Sequence, residues 1–184
     1  MPEILVQYST SPAFASQMIR RLTHSQFSHV DFILTQEMAD LIHIEGGLLG
    51  ASGVDKKIND PGGVRVRPFN AWPYLGEPKV ARVQCSLDTL KLTLAAALTQ
   101  RGKPFDRSAL WGFLSDQYYV KSQRDWRADG AWFCSELVIW ACERGGLFHP
   151  KILAVTKNRV TPNDSLLILN PYMSIENILE FCPV

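Results

Sequence analysis

Cysteine is scarce in this sequence, and its spacing suits none of the usual structural sites. The 184 residues include only four cysteines, Cys85, Cys134, Cys142 and Cys182. No two of them have the C-x-x-C spacing of a zinc ribbon, and four are too few for a disulfide scaffold in a chain of this length. Each cysteine therefore has to be judged by its own surroundings.

Excess charge of either sign is also missing. Nineteen basic residues against eighteen acidic ones give a formal net charge of +1. Nucleic-acid-binding and membrane-surface proteins commonly carry a strong positive field. The composition therefore predicts that nucleic acid is not a partner. The glycines at 46, 47, 50 and 53 do not form a phosphate-binding loop of the G-x-x-x-x-G-K-[ST] or G-x-G-x-x-G type.

Long apolar runs are absent as well. No nearly uncharged apolar stretch approaches the roughly 18 residues that suggest a membrane span. The N-terminal residues lack the basic region and apolar core of a secretory signal. We therefore expect no membrane span and a cytoplasmic location, with export by another route left open.

What remains is the composition of one globular domain over residues 1–184. The chain is 46% hydrophobic, 10% aromatic and 20% charged, with no internal repeat. Hydrophobic periodicity and turn residues predict α+β architecture, with helices packed on an antiparallel sheet. The expected strands cover 4–9, 28–34, 40–45, 64–67, 79–85 and 165–169, and the expected helices cover 12–22, 88–100 and 133–144.

Cys134 stands at the start of the third predicted helix, which ends at Gly145-Gly146. The positive end of a helix and its unpaired amide groups favour a thiolate there, and the same amides can stabilise an oxyanion. The alternative is that Cys134 is a small buried apolar residue, as most unpaired cysteines are. Cys142 lies deep in the same helix and is expected to be structural, as are Cys85 and Cys182.

A cysteine nucleophile needs a base and a third polar group that orients it. A hairpin of strands 28–34 and 40–45, joined by residues 35–39, would place His29 directly opposite Glu45. In the same register His43 lies opposite Asp31, so periodicity alone leaves both pairs open. Convergence of all four side chains as metal ligands is a weaker alternative, because no fixed ligand spacing supports it.

An aromatic and basic segment lies between Leu110 and Phe133. Its members are Trp111, Tyr118, Tyr119, Lys121, Arg124, Trp126, Arg127 and Trp132. Such a mixture can line a substrate groove or stack on single-stranded nucleic acid. The near-neutral charge of the chain favours a core-and-groove role.

Four blocks of the sequence, in this order, resemble the YiiX-like branch of the NlpC-type cysteine peptidase superfamily. They are Thr23-His24-Ser25-Gln26-Phe27-Ser28-His29-Val30, Ile42-His43-Ile44-Glu45-Gly46-Gly47, Gly102-Lys103-Pro104-Phe105-Asp106 and Phe133-Cys134-Ser135-Glu136-Leu137-Val138. The branch is circularly permuted relative to papain, so the strands that carry the histidine and its polar partner precede the cysteine helix. The resemblance spans about residues 4–170.

The resemblance implies a circularly permuted papain-like fold in which Cys134 is the nucleophile, His29 the general base and Glu45 its orienting partner. Gln7 matches a polar position that lines the site. The implied activity is hydrolysis of an amide bond, in a peptide or a cell-wall-derived peptide, through a thioester and without a metal or other cofactor. Acyl transfer or lipid-ester hydrolysis, as in relatives similar to lecithin retinol acyltransferase, is the alternative, and a non-catalytic binding module on the same fold is another.

Overall fold

The structure is a computed structural model that describes residues 1–53, 62–71, 73–108, 130–148 and 160–181. It is an α+β domain in which helices pack on a five-stranded antiparallel sheet. The strands are β1 (Glu3–Ser9), β2 (His29–Leu34), β3 (Gly47–Ser52), β4 (Gly63–Arg67) and β5 (Lys79–Gln84), arranged in the order β4-β3-β2-β1-β5. The predicted fold class is confirmed at this level.

Six helices and one 3-10 turn accompany the sheet in the described residues. The helices are α1 (Phe14–Thr23), α2 (Gln36–Leu41), α3 (Leu87–Leu98), α4 (Cys134–Arg144), α5 (Pro162–Leu169) and α6 (Ile175–Phe181), and the 3-10 turn covers Asn170–Tyr172. None of the helices in this part of the chain is long and apolar enough to cross a membrane.

The core lies between the sheet and helix α4, which packs against β2, β3 and α3. Leu137, Val138 and Ile139 of α4 are fully buried, as the apolar middle of this segment predicted. Helix α6 covers the edge of the sheet that β5 forms, where the side-chain amide of Asn177 hydrogen-bonds to the backbone of that strand. Its Oδ1 accepts from Arg82 N at 2.7 Å, and its Nδ2 donates to Val80 O at 2.9 Å.

The predicted hairpin of strands 28–34 and 40–45 is wrong. Residues 36–41 form helix α2 because Thr35 caps it, its Oγ1 accepting from Met38 N at 3.3 Å. The strand that pairs with β2 is β3, which begins at Gly47 opposite Leu34 and lies inside the segment predicted as a loop. The register in which His29 faces Glu45 therefore does not exist.

Two further predictions of secondary structure differ from the structure. The expected strand over 165–169 belongs to helix α5, which starts with a capping box: Thr161 Oγ1 accepts from Asp164 N at 3.1 Å, and Asp164 Oδ2 accepts from Thr161 N at 2.9 Å. Helix α1 begins at Phe14, two residues beyond the predicted start, with Ala13 as its N-cap residue. The other predicted strands and helices are present within about two residues of their expected ends.

Candidate functional site

Cys134 is the first residue of α4, as predicted. The N-cap residue is Phe133, whose side chain makes no capping hydrogen bond to the amide groups of the first turn. The Cys134 side chain is 1% exposed and packs with Ile19 and Phe133. The thiol therefore sits in an apolar wall at the positive end of a buried helix.

His29 is the first residue of β2 and lies beside both Cys134 and Asp31. The Cys134 side chain is close enough to the His29 ring to help raise the pKa of the imidazole. On its other side, His29 Nε2 lies 2.8 Å from Asp31 Oδ2. Burial by itself lowers the pKa of His29, but the charge and close contact of Asp31, together with Cys134, raise it to about 10. The imidazole is therefore protonated at neutral pH.

Asp31 is a buried carboxylate, 1% exposed. Within the described residues neither of its oxygens accepts an aligned hydrogen bond, and its contact with His29 is an ion pair by distance. An uncompensated buried carboxylate is costly, so the His29 imidazolium is what makes this placement tolerable. Residues 29 and 31 are two apart on one strand, which puts their side chains on the same face of the sheet.

Gly50 of β3 provides the space that the Asp31 carboxylate occupies. A Cβ atom built on Gly50 would lie 1.8 Å from Asp31 Oδ1 and 3.3 Å from Val30 O. No side chain fits there without moving the carboxylate. The ion pair therefore requires glycine at this position because of the space it leaves, and the backbone conformation of Gly50 does not itself call for glycine.

Gln7 and Tyr74 complete the polar surroundings. Gln7 lies opposite Asp31 in the β1–β2 register and is 8% exposed. Its Nε2 donates to Tyr74 Oη at 2.8 Å, and Tyr74 Oη donates to Phe69 O at 3.3 Å. Burial raises the pKa of Tyr74, the hydrogen bond with Gln7 lowers it, and the charge of Asp31 adds a smaller upward shift. The role predicted for Gln7 stays a prediction.

The structure does not bring Glu45 to the histidine. Glu45 is exposed in the loop between α2 and β3, and among the described residues the groups that act on the His29 ring are Asp31 and Cys134. His43 is exposed in the same loop, with a positive φ of 55°. The pair formed is therefore His29 with Asp31, a combination that differs from both pairs of the predicted register. Its signal in the sequence was the i, i+2 spacing on a single strand face.

The remaining sequence candidates fall outside this site. In the described part of the chain, no group of three or more His, Cys, Asp or Glu side chains could hold a metal ion. Burial raises the pKa of the Cys142 and Cys85 thiols, which makes both poor nucleophiles. Cys182 and most of the aromatic and basic segment, residues 109–129, lie outside the described residues.

The site has to be interpreted from its own geometry. No protein-family model matches this sequence, and no curated protein matches it. The arrangement itself supplies a sulfur nucleophile, a protonated imidazole in contact with it, and a buried carboxylate that holds the imidazole. Together these groups can carry out acyl transfer through a covalent thioester.

Proposed function

We propose that this protein is a cysteine hydrolase that cleaves an amide bond in a peptide or peptide-like acyl substrate. Cys134 is the nucleophile, His29 the general acid and base, and Asp31 the group that orients His29. The observation that carries the proposal is an imidazole that lies beside a cysteine at a helix start and whose Nε2 is 2.8 Å from the buried carboxylate of Asp31.

The first step forms a thioester. The reacting form is a pair of the Cys134 thiolate and the His29 imidazolium. The thiolate sulfur attacks the carbonyl carbon, and the developing oxyanion is stabilised by amide groups of the first turn of α4. The imidazolium of His29 then donates its proton to the leaving nitrogen as the C–N bond breaks. A raised pKa of His29 supports this role, because the proton is already on the ring at neutral pH.

The second step releases the acyl group. His29, now neutral, takes a proton from a water molecule, and the resulting hydroxide attacks the thioester carbonyl. The C–S bond breaks, the sulfur leaves as a thiolate, and the proton on His29 restores the starting pair. Asp31 stabilises the imidazolium at both ends of this cycle and remains ionised throughout.

The direction of substrate approach follows from burial. Cys134 is 1% exposed, whereas the His29 side chain is 18% exposed. The acyl group must therefore reach the sulfur past the imidazole. This geometry suits a slender, extended substrate such as a peptide.

The finer fold assignment is part of the same proposal. The strand that carries His29 and Asp31 precedes the helix that begins at Cys134, which is the chain order of a circularly permuted papain-like domain of the NlpC type. The antiparallel sheet packed against this helix supports that assignment.

Selective alkylation tests the nucleophile. Limited iodoacetamide at pH 6.5, followed by peptide mapping, should label Cys134 ahead of Cys85, Cys142 and Cys182. His29→Gln should slow the labelling of Cys134 by at least ~10-fold, because the sulfur loses its proton partner. The matched control is Cys85→Ala, which should leave the Cys134 rate unchanged. Equal labelling of all accessible thiols would contradict the proposal and favour a binding module.

A substrate panel tests the reaction. Peptide amides and lipid esters are incubated with the protein, and the acyl group is sought on Cys134 by mass spectrometry. Acylation by peptide amides, abolished in Cys134→Ala, is the expected result. Acylation of Cys134 by lipid esters alone would contradict amide hydrolysis and would favour acyl transfer or lipid-ester hydrolysis as the activity.

A further inference from the structure

A cavity of about 450 Å³ lies at the same end of the sheet as the candidate nucleophile. Ser52, the last residue of β3, lines it, and continuing the β2–β3 register places Ser52 across from His29. Phe105 forms another wall, and its ring packs on Phe133 with the centroids 5.6 Å apart. Phe105 also packs against the cluster that contains Cys134, so the cavity and the thiol share a wall.

Three cations line this cavity, Arg65, Lys103 and Arg107. No acidic residue belongs to its lining in the described part of the chain. Across the described residues no ion pair joins any of these three cations to a carboxylate. In a chain of net charge +1 this is a marked local excess of positive charge.

The cavity wall is held by backbone contacts. Val64 N donates to Lys103 O at 2.9 Å, and Gly102 N donates to Val64 O at 3.0 Å, so the loop that carries Lys103 is tied to β4. Gly63, with a φ of 82°, permits this approach, because a Cβ there would lie 2.5 Å from Lys103 O. Arg65 Nε donates to Gly62 O at 2.9 Å, which fixes the stem of that side chain, and its terminal nitrogens have no hydrogen-bond partner among the described residues.

We propose that this cavity is an anion subsite that binds a carboxylate of the substrate beside the bond attacked by Cys134. The inference rests on the proposed function and names its substrate class: acyl compounds that carry an acidic side chain or a terminal carboxylate. Two guanidinium groups and one ammonium group match that chemistry, since arginine binds carboxylates through paired hydrogen bonds. Ser52 supplies a hydroxyl at the side nearest His29.

Binding is tested on the full chain carrying Cys134→Ala, so that no chemistry is required. Thermal unfolding is followed at constant ionic strength with glutarate, its neutral diamide, or inorganic phosphate. Glutarate at ten times its dissociation constant should raise the Tm by about 3–6 °C, and the diamide should not. Arg65→Gln with Arg107→Gln should abolish the shift, and Arg107→Lys should retain most of it.

Arg82→Gln is the matched control for loss of one positive charge. Arg82 lies on β5, four strand spacings or about 19 Å from β4, which is more than twice the Debye length at physiological salt. This variant should keep the glutarate shift. No shift with glutarate, or the same shift in the double variant, would overturn the subsite. A shift with phosphate alone would overturn the assignment to carboxylates.

Alkylation of the unsubstituted Cys134 separates failure of the subsite from failure of the proposed function. Iodoacetate and iodoacetamide differ in charge and hardly in size, so the ratio of their rates measures the local potential. The rate with iodoacetate divided by the rate with iodoacetamide should fall by on the order of 10-fold in the double variant at low salt. The fall should be smaller at high salt. An unchanged ratio with a reactive Cys134 rejects the subsite alone. A Cys134 inert to both reagents rejects the proposed reaction, while the glutarate experiment still decides the subsite.

Discussion

The ion pair between His29 and Asp31 makes a specific prediction about stability and pH. The pKa of His29 is about 10 in the folded protein, against about 6.5 in an unfolded chain. Between these two values the folded state holds one proton more than the unfolded state. The stabilising contribution is therefore fully present below pH 6.5 and is lost as the pH rises through 10.

Asp31→Asn removes the charge and keeps the shape. Because the pKa of His29 is raised to about 10, proton linkage at this residue changes the free energy of unfolding by about 2–3 kcal/mol between pH 7 and pH 9. In the variant the main cause of that shift is gone, while burial continues to favour the neutral ring. The free energy of unfolding of the wild type exceeds that of the variant by less at pH 9 than at pH 7, and this excess should shrink by about 2–3 kcal/mol.

Urea unfolding at pH 7, 8 and 9 measures this difference. Burial also raises the pKa of Cys85 and Cys142, so both proteins lose some stability in this range, and only the difference between them reports His29. Glu45→Gln is the matched control, since Glu45 is exposed, and its stability difference from wild type should stay within about 0.5 kcal/mol at every pH. A constant difference for Asp31→Asn, or a pH-dependent one for Glu45→Gln, would refute the assignment of Asp31 as the partner of His29.

Three further substitutions test the packing that positions the site. Gly50→Ala places a Cβ 1.8 Å from Asp31 Oδ1, so it should lower the free energy of unfolding by about 1–3 kcal/mol. It should also lower the rate of Cys134 alkylation, and an unchanged rate would contradict the role of Gly50 in making room for Asp31. Gly145→Ala meets Thr93 Oγ1 at 1.9 Å and should destabilise the protein to a similar extent while leaving the alkylation rate of the folded protein unchanged. Thr161→Ala removes the cap of α5 and should cost about 1 kcal/mol in urea unfolding, with no loss meaning that the capping box is not formed in solution.

The sequence was sufficient for the elements whose signals are local. Helix α4 has a long apolar middle and terminal glycines, so both its existence and the position of Cys134 at its start could be predicted. Strand β4 was found from four residues, because β-branched residues alternate there with arginines. The α+β class and the place of Cys134 at a helix start therefore followed from short-range pattern.

Pairing between distant strands was not accessible in the same way. Residues 40–45 alternate like a strand, yet the cap at Thr35 and the hydrogen bond from Gln36 Nε2 to Asp40 Oδ1 at 2.7 Å make their first part helical. The wrong hairpin offered Glu45 as one possible partner of His29, and the family resemblance implied the same pair. The contact between His29 and Asp31 was missed because a hairpin directs attention to residues on the facing strand, while Asp31 lies on the same strand as His29.

The placement of His29 and Asp31 on one strand divides the candidate site into two mechanical parts. His29 and Asp31 are joined by two peptide units of β2, so their side chains move as one unit with that strand. Cys134 belongs to helix α4, which packs against the sheet. A small shift of α4 relative to the sheet would move Cys134 Sγ away from the His29 ring and leave the ion pair between His29 and Asp31 intact. Activity could then be switched off without a change in the charge of the site, and the imidazole resonances of His29 would record loss of the thiol neighbour alone.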